Sequence, residues 1–264
     1  VLYPTAGSVE VNGLIPHQNR TANAYNIAVV YGQRSQLWWD LPLRDSFEIL
    51  AAMYKLPQAH CKHMLDFLID LLEMQEFLDQ PVRKLSLGQR MKGDIVAALL
   101  HEPNILYLDE PTIGLDVVSK NRILRFLRDL NAERRTTIIL TTHNLSDVAQ
   151  ICPRIMIIDH GKIILDAQQS DILARFGQQR QLIVEFADGI RDVTLPEGEI
   201  VREEANKLWI AFDRERVSAF DLVHALGTDS GIKDIAIQEA GIESIVEQIY
   251  KYGLEEGGDG ATGL

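Results

Sequence analysis

Two adjacent carboxylates close a short apolar run, Ile105-Leu106-Tyr107-Leu108-Asp109-Glu110. A buried strand of this kind delivers both to its carboxyl end, where ligands bind in open α/β sheets. One carboxylate can hold a metal ion, and its neighbour can take a proton from an attacking water. Upstream, Leu85-Ser86-Leu87-Gly88-Gln89 sets Ser86 three residues before Gln89, the spacing of a capping box at a helix start. Free N–H groups and the helix dipole there favour an anion, and Gly88 lets a phosphate come close to the backbone. Gly114-Leu115-Asp116 and Thr141-Thr142-His143 follow, each at a turn. His143 can hydrogen-bond a phosphate and help orient a water. Asp116 is suited to capping a helix.

These groups need a frame, and the apolar spacing supplies one. Val9 and Val11 alternate before Gly13, as in a short strand and turn, and Ile27 to Tyr31 is a compact strand-like run. Asp45-Ser46-Phe47-Glu48 reads as a capping box opening a helix that Pro57 closes. Leu65, Leu68, Ile69 and Leu72 mark a second helix, and Met91, Ile95, Ala98 and Leu99 a third that begins at Ser86. Ile105 to Leu108 and Thr137 to Thr141 read as strands buried on both faces. Ile123, Leu124, Leu127 and Leu130 predict a helix between them, and a short helix follows over 145–151. The turn at His160-Gly161 joins Ile155–Ile158 to Ile163–Leu165. Strand and helix in alternation argue for a layered α/β core carrying an inserted helical subdomain. After Gly177 the pattern becomes a small α+β extension, with strands near 182–186, 208–212 and 235–237 and helices near 220–226 and 242–250. The Gly-rich end reads as a flexible tail.

Composition bounds the function. The 264 residues are 46% hydrophobic and 24% charged, which is ordinary for a globular chain. A net charge of −12 argues against nucleic acid, whose binding rests on a basic face. Two cysteines, Cys61 and Cys152, make no disulfide framework and suit a reducing cytosol. His60-Cys61-x-His63 has no second ligand cluster and reads as an exposed helix face rather than a metal site. No apolar run approaches the length of a membrane span.

Taken in order, Ser86–Gln89, Asp109-Glu110, Gly114–Asp116 and Thr142-His143 resemble the nucleotide-binding subunit of an ABC transporter, over roughly residues 4–176. The resemblance implies a P-loop NTPase core of α/β class, ATP and Mg²⁺ as cofactors, and a set of roles. Asp109 would hold the metal and Glu110 would act as general base, with His143 assisting. Ser86, Gly88 and Gln89 would meet the γ-phosphate of ATP bound by a second subunit, and Asp116 would tie the two subunits together. Leu87 stands where the family has glycine. Gln33, with Gln36 as the alternative, would sense metal and water and link the site to the helical subdomain. Trp38 and Trp39 follow directly, as core anchors or as a patch for a partner.

One expected motif is missing. A P-loop needs G-x-x-x-x-G-K-[ST]. The only Gly-Lys pair, Gly161-Lys162, has Met156 in the first glycine's place and Ile163 in that of Ser or Thr. The opening Pro4-Thr5-Ala6-Gly7-Ser8-Val9 resembles the stretch that follows the P-loop helix. The expectation is a chain truncated before or within that helix, inactive by itself. Its organisation reads as a nucleotide-binding domain over 1–177 with a helical subdomain at about 41–101, an extension over 178–252 and a tail over 253–264.

The run from Gly32 to Trp39 resembles ATPase subunits of sodium-efflux and drug-efflux exporters. The resemblance implies a cytoplasmic subunit, peripheral on the membrane, that pairs with a second copy and grips a separate membrane-spanning permease. The alternatives are a soluble ABC ATPase of translation or DNA repair, and a binding module without catalysis. A single cassette with an acidic balance disfavours the first.

Overall fold

The computed structural model describes residues 2–176, 179–187, 189–190, 195, 197–213, 216–227 and 231–239, and beyond these 242, 245, 246 and 249. The tail expected over 253–264 lies outside them. The chain folds as two compact units, Val1–Asp147 and Val148–Leu264.

The first unit is built on three parallel strands in the order β1 (Ile27–Tyr31), β2 (Ile105–Asp109), β3 (Thr137–Thr141). Ile27 faces Ile105 and Ile105 faces Thr137, so all three strands end at one level, at Tyr31, Asp109 and Thr141. A seven-residue helix, α1 (Arg20–Asn26), leads into β1; its sequence has no apolar periodicity to predict it. Val9 and Val11 form no strand, only a bridge from Val11 to Leu14.

Between β1 and β2 run α2 (Leu43–Met53), α3 (Gln58–Leu71) and α4 (Leu87–Leu99). The expected capping box at Asp45 is not used. Helix α2 starts at Leu43 behind Pro42, and Leu43 is completely buried. Ser46 instead lies inside, its hydroxyl accepting from the Trp38 N–H at 3.3 Å. Nor does Pro57 close α2: the helix stops at Met53, Lys55 turns the chain with φ +55°, and Pro57 caps α3. Cys61 is not on an exposed face; it is buried, and burial raises its thiol pKa, while His60 and His63 stay outside. Helix α4 is buried along nearly its whole length, from Met91 to Leu99. The Lys92 ammonium, its pKa lowered by burial, donates to the Leu72 carbonyl at the end of α3 at 2.6 Å. Cations suit that end of a helix.

After β2, α5 (Val117–Arg134) returns the chain to β3, burying Ile123, Leu124, Phe126, Leu127 and Leu130. Only Leu106 and Leu108 of β2 are buried, and β3 is half-exposed throughout. The expectation of two doubly covered strands is corrected here: an apolar run does not report whether both faces of the sheet are covered, and even central β2 alternates buried with half-buried residues.

Helix α6 (Leu145–Ile151) begins in the first unit. In the second unit, β4 (Arg154–Asp159) and β5 (Lys162–Gln168) form an antiparallel hairpin. Its turn residues His160 and Gly161 both take positive φ, as a type I′ turn requires. Helix α7 (Gln169–Phe176) follows, then β6 (Gln179–Phe186), β7 (Glu199–Glu204), β8 (Lys207–Asp213), α8 (Ala219–Ala225) and β9 (Ile232–Glu239). The four strands form a sheet in the order β7-β8-β6-β9. Leu222 and Leu226 close over Leu182, Val184, Phe186, Leu208, Ile210 and Phe212. Of the helix expected over 242–250, Ile242, Ile245, Val246 and Ile249 are described, all helical and buried.

Gly32 sets the spacing between β1 and the end of β2. Its N–H donates to the Asp109 carbonyl at 2.7 Å, and a Cβ there would stand 2.0 Å from the Glu110 carbonyl oxygen. Replacing Gly32 with Ala must push the two strand ends apart. A loss on the order of 2 kcal/mol is expected, the usual scale of overpacking. Urea unfolding checks this, and an unchanged midpoint would refute the close approach.

Candidate nucleotide site

Asp109 and Glu110 stand where the three parallel strands end. Glu110 takes φ +53°, a left-handed conformation that costs about 1–3 kcal/mol in a residue other than glycine. Neighbours on both sides impose it. The Glu110 N–H donates to the Thr141 carbonyl at 3.0 Å, and Gly32 binds Asp109 from the other side. The turn aims the Glu110 carboxylate at the loop after β3, where one oxygen, Oε1, accepts from the His143 N–H at 3.1 Å and meets His143 Nδ1 at 2.8 Å. With the proton on Nδ1, the ring donates to Glu110 and leaves Nε2 as an acceptor. Glu110 Oε2 remains for a water. The Asp109 carboxylate is oriented likewise: Thr141 Oγ1 donates to its Oδ1 at 2.6 Å, leaving Oδ2 outward.

The geometry of Glu110 and His143 is fixed from below. Thr112, two residues past Glu110, donates its hydroxyl to Asp147 Oδ2 at 2.6 Å. Lys120 of α5 lies 2.8 Å from Asp147 Oδ1. Asp147 is 1% exposed, so this buried ion pair ties the loop after β2, the start of α5 and the first turn of α6 together. Nothing local in the sequence gives Asp147 or Thr112 a task. Their partners lie far along the chain, and only the buried threonine after Glu-Pro hints at the link.

A second group forms at two helix starts. Ser86 caps α4 in a closed box: its hydroxyl accepts from Gln89 N–H at 3.2 Å and its own N–H donates to Gln89 Oε1 at 2.9 Å. Both side chains are thereby spent on the helix. What the helix start still offers is the N–H pair of Leu87 and Gly88, which has no acceptor within the helix. Asp116 caps α5, accepting from Val118 and Ser119 N–H at 3.0 and 2.9 Å. Hydrogen bonds from Ser119 hold its carboxyl below the usual range. The two starts are neighbours, since a Cβ on Gly88 would stand 2.9 Å from Ser119 Oγ and one on Gly114 3.0 Å from a Leu87 methyl. Gly88 is therefore required for helix packing, apart from any room it leaves a phosphate.

The loop after β1 joins this frame to α4. Gln33 is exposed and lines a cleft of about 50 Å³ with Ser35, Leu87, Arg90 and Asp94. Gln36 is engaged elsewhere: its N–H donates to Asp94 Oδ1 at 3.0 Å and its Nε2 to the Asp94 carbonyl at 3.2 Å. Ser35 Oγ also donates to Asp94 Oδ1, at 2.9 Å. Burial pushes the Asp94 carboxyl up to about 6 despite these donors and nearby Arg90. Trp38 and Trp39 lie at the surface, 36% and 50% exposed, with the Arg90 guanidinium over the Trp39 ring. They are not core anchors.

Among the described residues no three His, Cys, Asp or Glu side chains gather as a cage for a metal. Magnesium does not require one, because it keeps waters and commonly takes one carboxylate plus substrate phosphates. Asp109, with one oxygen fixed and the other outward, fits that use.

The model of the ABC transporter family matches residues 1–113. The linearmycin resistance ATP-binding protein LnrL of Bacillus subtilis is 28% identical over 255 residues, covering 89% of this chain and 82% of that protein. The daunorubicin resistance ATP-binding protein DrrA3 of Streptomyces coeruleorubidus is 29% identical, covering 92% of this chain and 74% of its own. Among solved structures, cbiO1 of Clostridium perfringens, part of the cbiONQ transporter complex, aligns with a TM-score of 0.59 and 25% identity, over 66% of this chain and 70% of that one.

The buried Asp94 makes stability depend on pH. Its folded pKa of about 6 exceeds the ordinary 3.8 of the unfolded chain. Its contribution is therefore full below about pH 4 and is lost as pH rises through about 6. The loss is about 3 kcal/mol in scale. Asp94→Asn should remove this dependence, so that the variant gains on the wild type between pH 4 and 7.5. Denaturation curves across that window check it; parallel pH profiles would contradict the burial of a charge.

Proposed function

We propose that the chain carries an ABC transporter ATP-binding domain in which Asp109, Glu110 and His143 form the hydrolytic centre of a transport ATPase that works as a dimer on a membrane permease. The observation that carries this is the Glu110 carboxylate, turned by a left-handed backbone toward His143 with one oxygen held and the other open. Oε2 accepts the proton of the attacking water. His143, anchored at Nδ1, presents Nε2 toward the phosphate and the water. Asp109 would hold the magnesium. Bound magnesium neutralises charge on the phosphates. Gln33 reaches the same zone from the end of β1. The Leu87 and Gly88 N–H groups, supported by the helix dipole, bind the γ-phosphate held by a second subunit. Asp116 stands on that same face, at the subunit junction.

Residues 1–264 contain no G-x-x-x-x-G-K-[ST] stretch. The lysine and amide cradle that hold the phosphates in such enzymes have no counterpart within these residues. The working division is a nucleotide-binding part over 1–177, with its helical region at about 41–101, and an extension over 178–252.

Export is the direction we favour, since LnrL and DrrA3 are resistance proteins. A soluble ATPase of translation or DNA repair is not favoured. No helix among the described residues is long and apolar enough to cross a membrane. The exposed Trp38-Trp39 patch beside α2 suits the permease, because aromatic rings bury much area in a pocket. The subunit then sits at the cytoplasmic membrane face.

Two measurements test the reading. In the protein that joins these residues to a P-loop, Glu110→Gln should lower kcat by about 10²–10⁴ while ATP binding persists. Near-normal turnover would remove Glu110 as base. Residues 1–264 alone should show no ATPase activity and little affinity for Mg-ATP. Tight magnesium-dependent binding in calorimetry would show that the phosphate grip lies inside them.

A further inference from the structure

One face of α4 grips the loop that carries Gln33. Arg90, Gly93 and Asp94 stand at i, i+3 and i+4, the spacing that places residues side by side on a helix. Asp94 Oδ1 accepts from Ser35 Oγ at 2.9 Å and from Gln36 N–H at 3.0 Å, and Gln36 Nε2 returns a bond to the Asp94 carbonyl. Ser35 Oγ also accepts from Leu37 N–H at 3.2 Å, extending the hold by one residue. One turn earlier the Arg90 guanidinium carbon lies 4.8 Å from the centre of the Trp39 ring. Between these two points Gly93 has no side chain: a Cβ would stand 2.7 Å from a Leu43 methyl and 3.0 Å from one of Leu37.

The Asp94 contact is not one that folding stability alone selects. Asp94 is 4% exposed, and no cation among the described residues lies within ion-pair distance of it. An apolar side chain of similar size would avoid burying that charge. A carboxylate does what an apolar group cannot: it takes two donors from the loop at once and fixes the loop's position on the helix.

We propose that Asp94, flanked by Arg90 and Gly93, is the positioning residue that clamps the 33–39 loop to α4 and so carries the link between Gln33 and the helical region that the family resemblance implies. The proposal rests on the reading of Gln33 and Ser86–Gln89 as nucleotide-facing groups. Helix α4 is a stiff connector. From Asp94 to Ser86 is about 12 Å at 1.5 Å per residue, within one unbroken element. Gln33 and Leu87 line the same small cleft, so the loop and the first turn of α4 have no slack between them. The residues that sense the nucleotide of one site and those that reach toward the other site then travel together.

Amide exchange on residues 1–264 reads the clamp without nucleotide. Asp94→Ala should speed exchange at Gln36 and Leu37 on the order of tenfold, with Leu106 and Leu108 of β2 unchanged. Ser35→Ala, a smaller change, should do the same at Leu37 if Asp94→Ala fails to fold. Hydrolysis is then measured on the permease-bound ATPase carrying these residues. Asp94→Ala should lower kcat about tenfold with KM for ATP within about threefold, and Asp94→Asn, which keeps an acceptor oxygen, should restore most of it. Unchanged exchange at Gln36 and Leu37 overturns the clamp. Faster exchange with unchanged kcat overturns the coupling. A wild-type assembly without ATPase activity would overturn the underlying site reading instead, and the exchange result would still decide whether the clamp exists.

Discussion

The arrangement depends on the way the backbone at the end of β2 is held from two sides. Gly32 binds Asp109 from β1, and Thr141 binds Glu110 from β3. Between these bonds Glu110 takes a conformation that it would avoid if free. The strain is stored where the chemistry is read, and the parallel register that equalises the three strand ends keeps it there. Once that turn is set, the Glu110 carboxylate has one direction to point, and His143 meets it. The Thr112–Asp147–Lys120 link locks the loops beneath, so the two halves of the centre do not drift apart.

Around this fixed point the rest of the first unit works as a holder of helix ends. The starts of α4 and α5 lie against each other because Gly88 and Gly114 have no side chains to separate them. The Asp116 carboxylate already answers the start of α5, so the free N–H pair at this junction belongs to α4. Buried α4 carries that anion-binding end at one terminus, and along its flank it holds the loop from β1.

Much of this was legible in the residues. Short apolar runs ending in Asp109-Glu110 and Thr141-Thr142-His143 announce strands with polar ends, and the Ser86–Gln89 box is a local signal that the structure realises atom for atom. What escaped is non-local or lacks a sequence cue. Asp94 and Asp147 read as ordinary polar positions on helices, because the donors that give them meaning lie far along the chain. The left-handed turn at Glu110 carries no glycine to mark it. The box at Asp45 is a valid pattern that lost to the burial of Leu43 and Ser46. The Thr137–Thr141 run looks buried because apolar content does not report whether each face of the sheet is covered. Short elements with weak periodicity, α1 and β7, gave no signal at all.

The pairing of Ile27 with Ile105 carries a consequence in time rather than in space. β1 and β2 are neighbours in the sheet, yet three helices lie between them in the chain. The entropy of closing so long a loop must be met before their ladder returns anything, and contacts of this kind form slowly. Helices α2 to α4 draw on nearer contacts and shorten the effective gap as they pack. The bond from Gly32 to Asp109, and with it the turn at Glu110, therefore belongs to the late stage of assembly. A nascent chain reaches its helical contour well before it can orient the group proposed to break a phosphate bond.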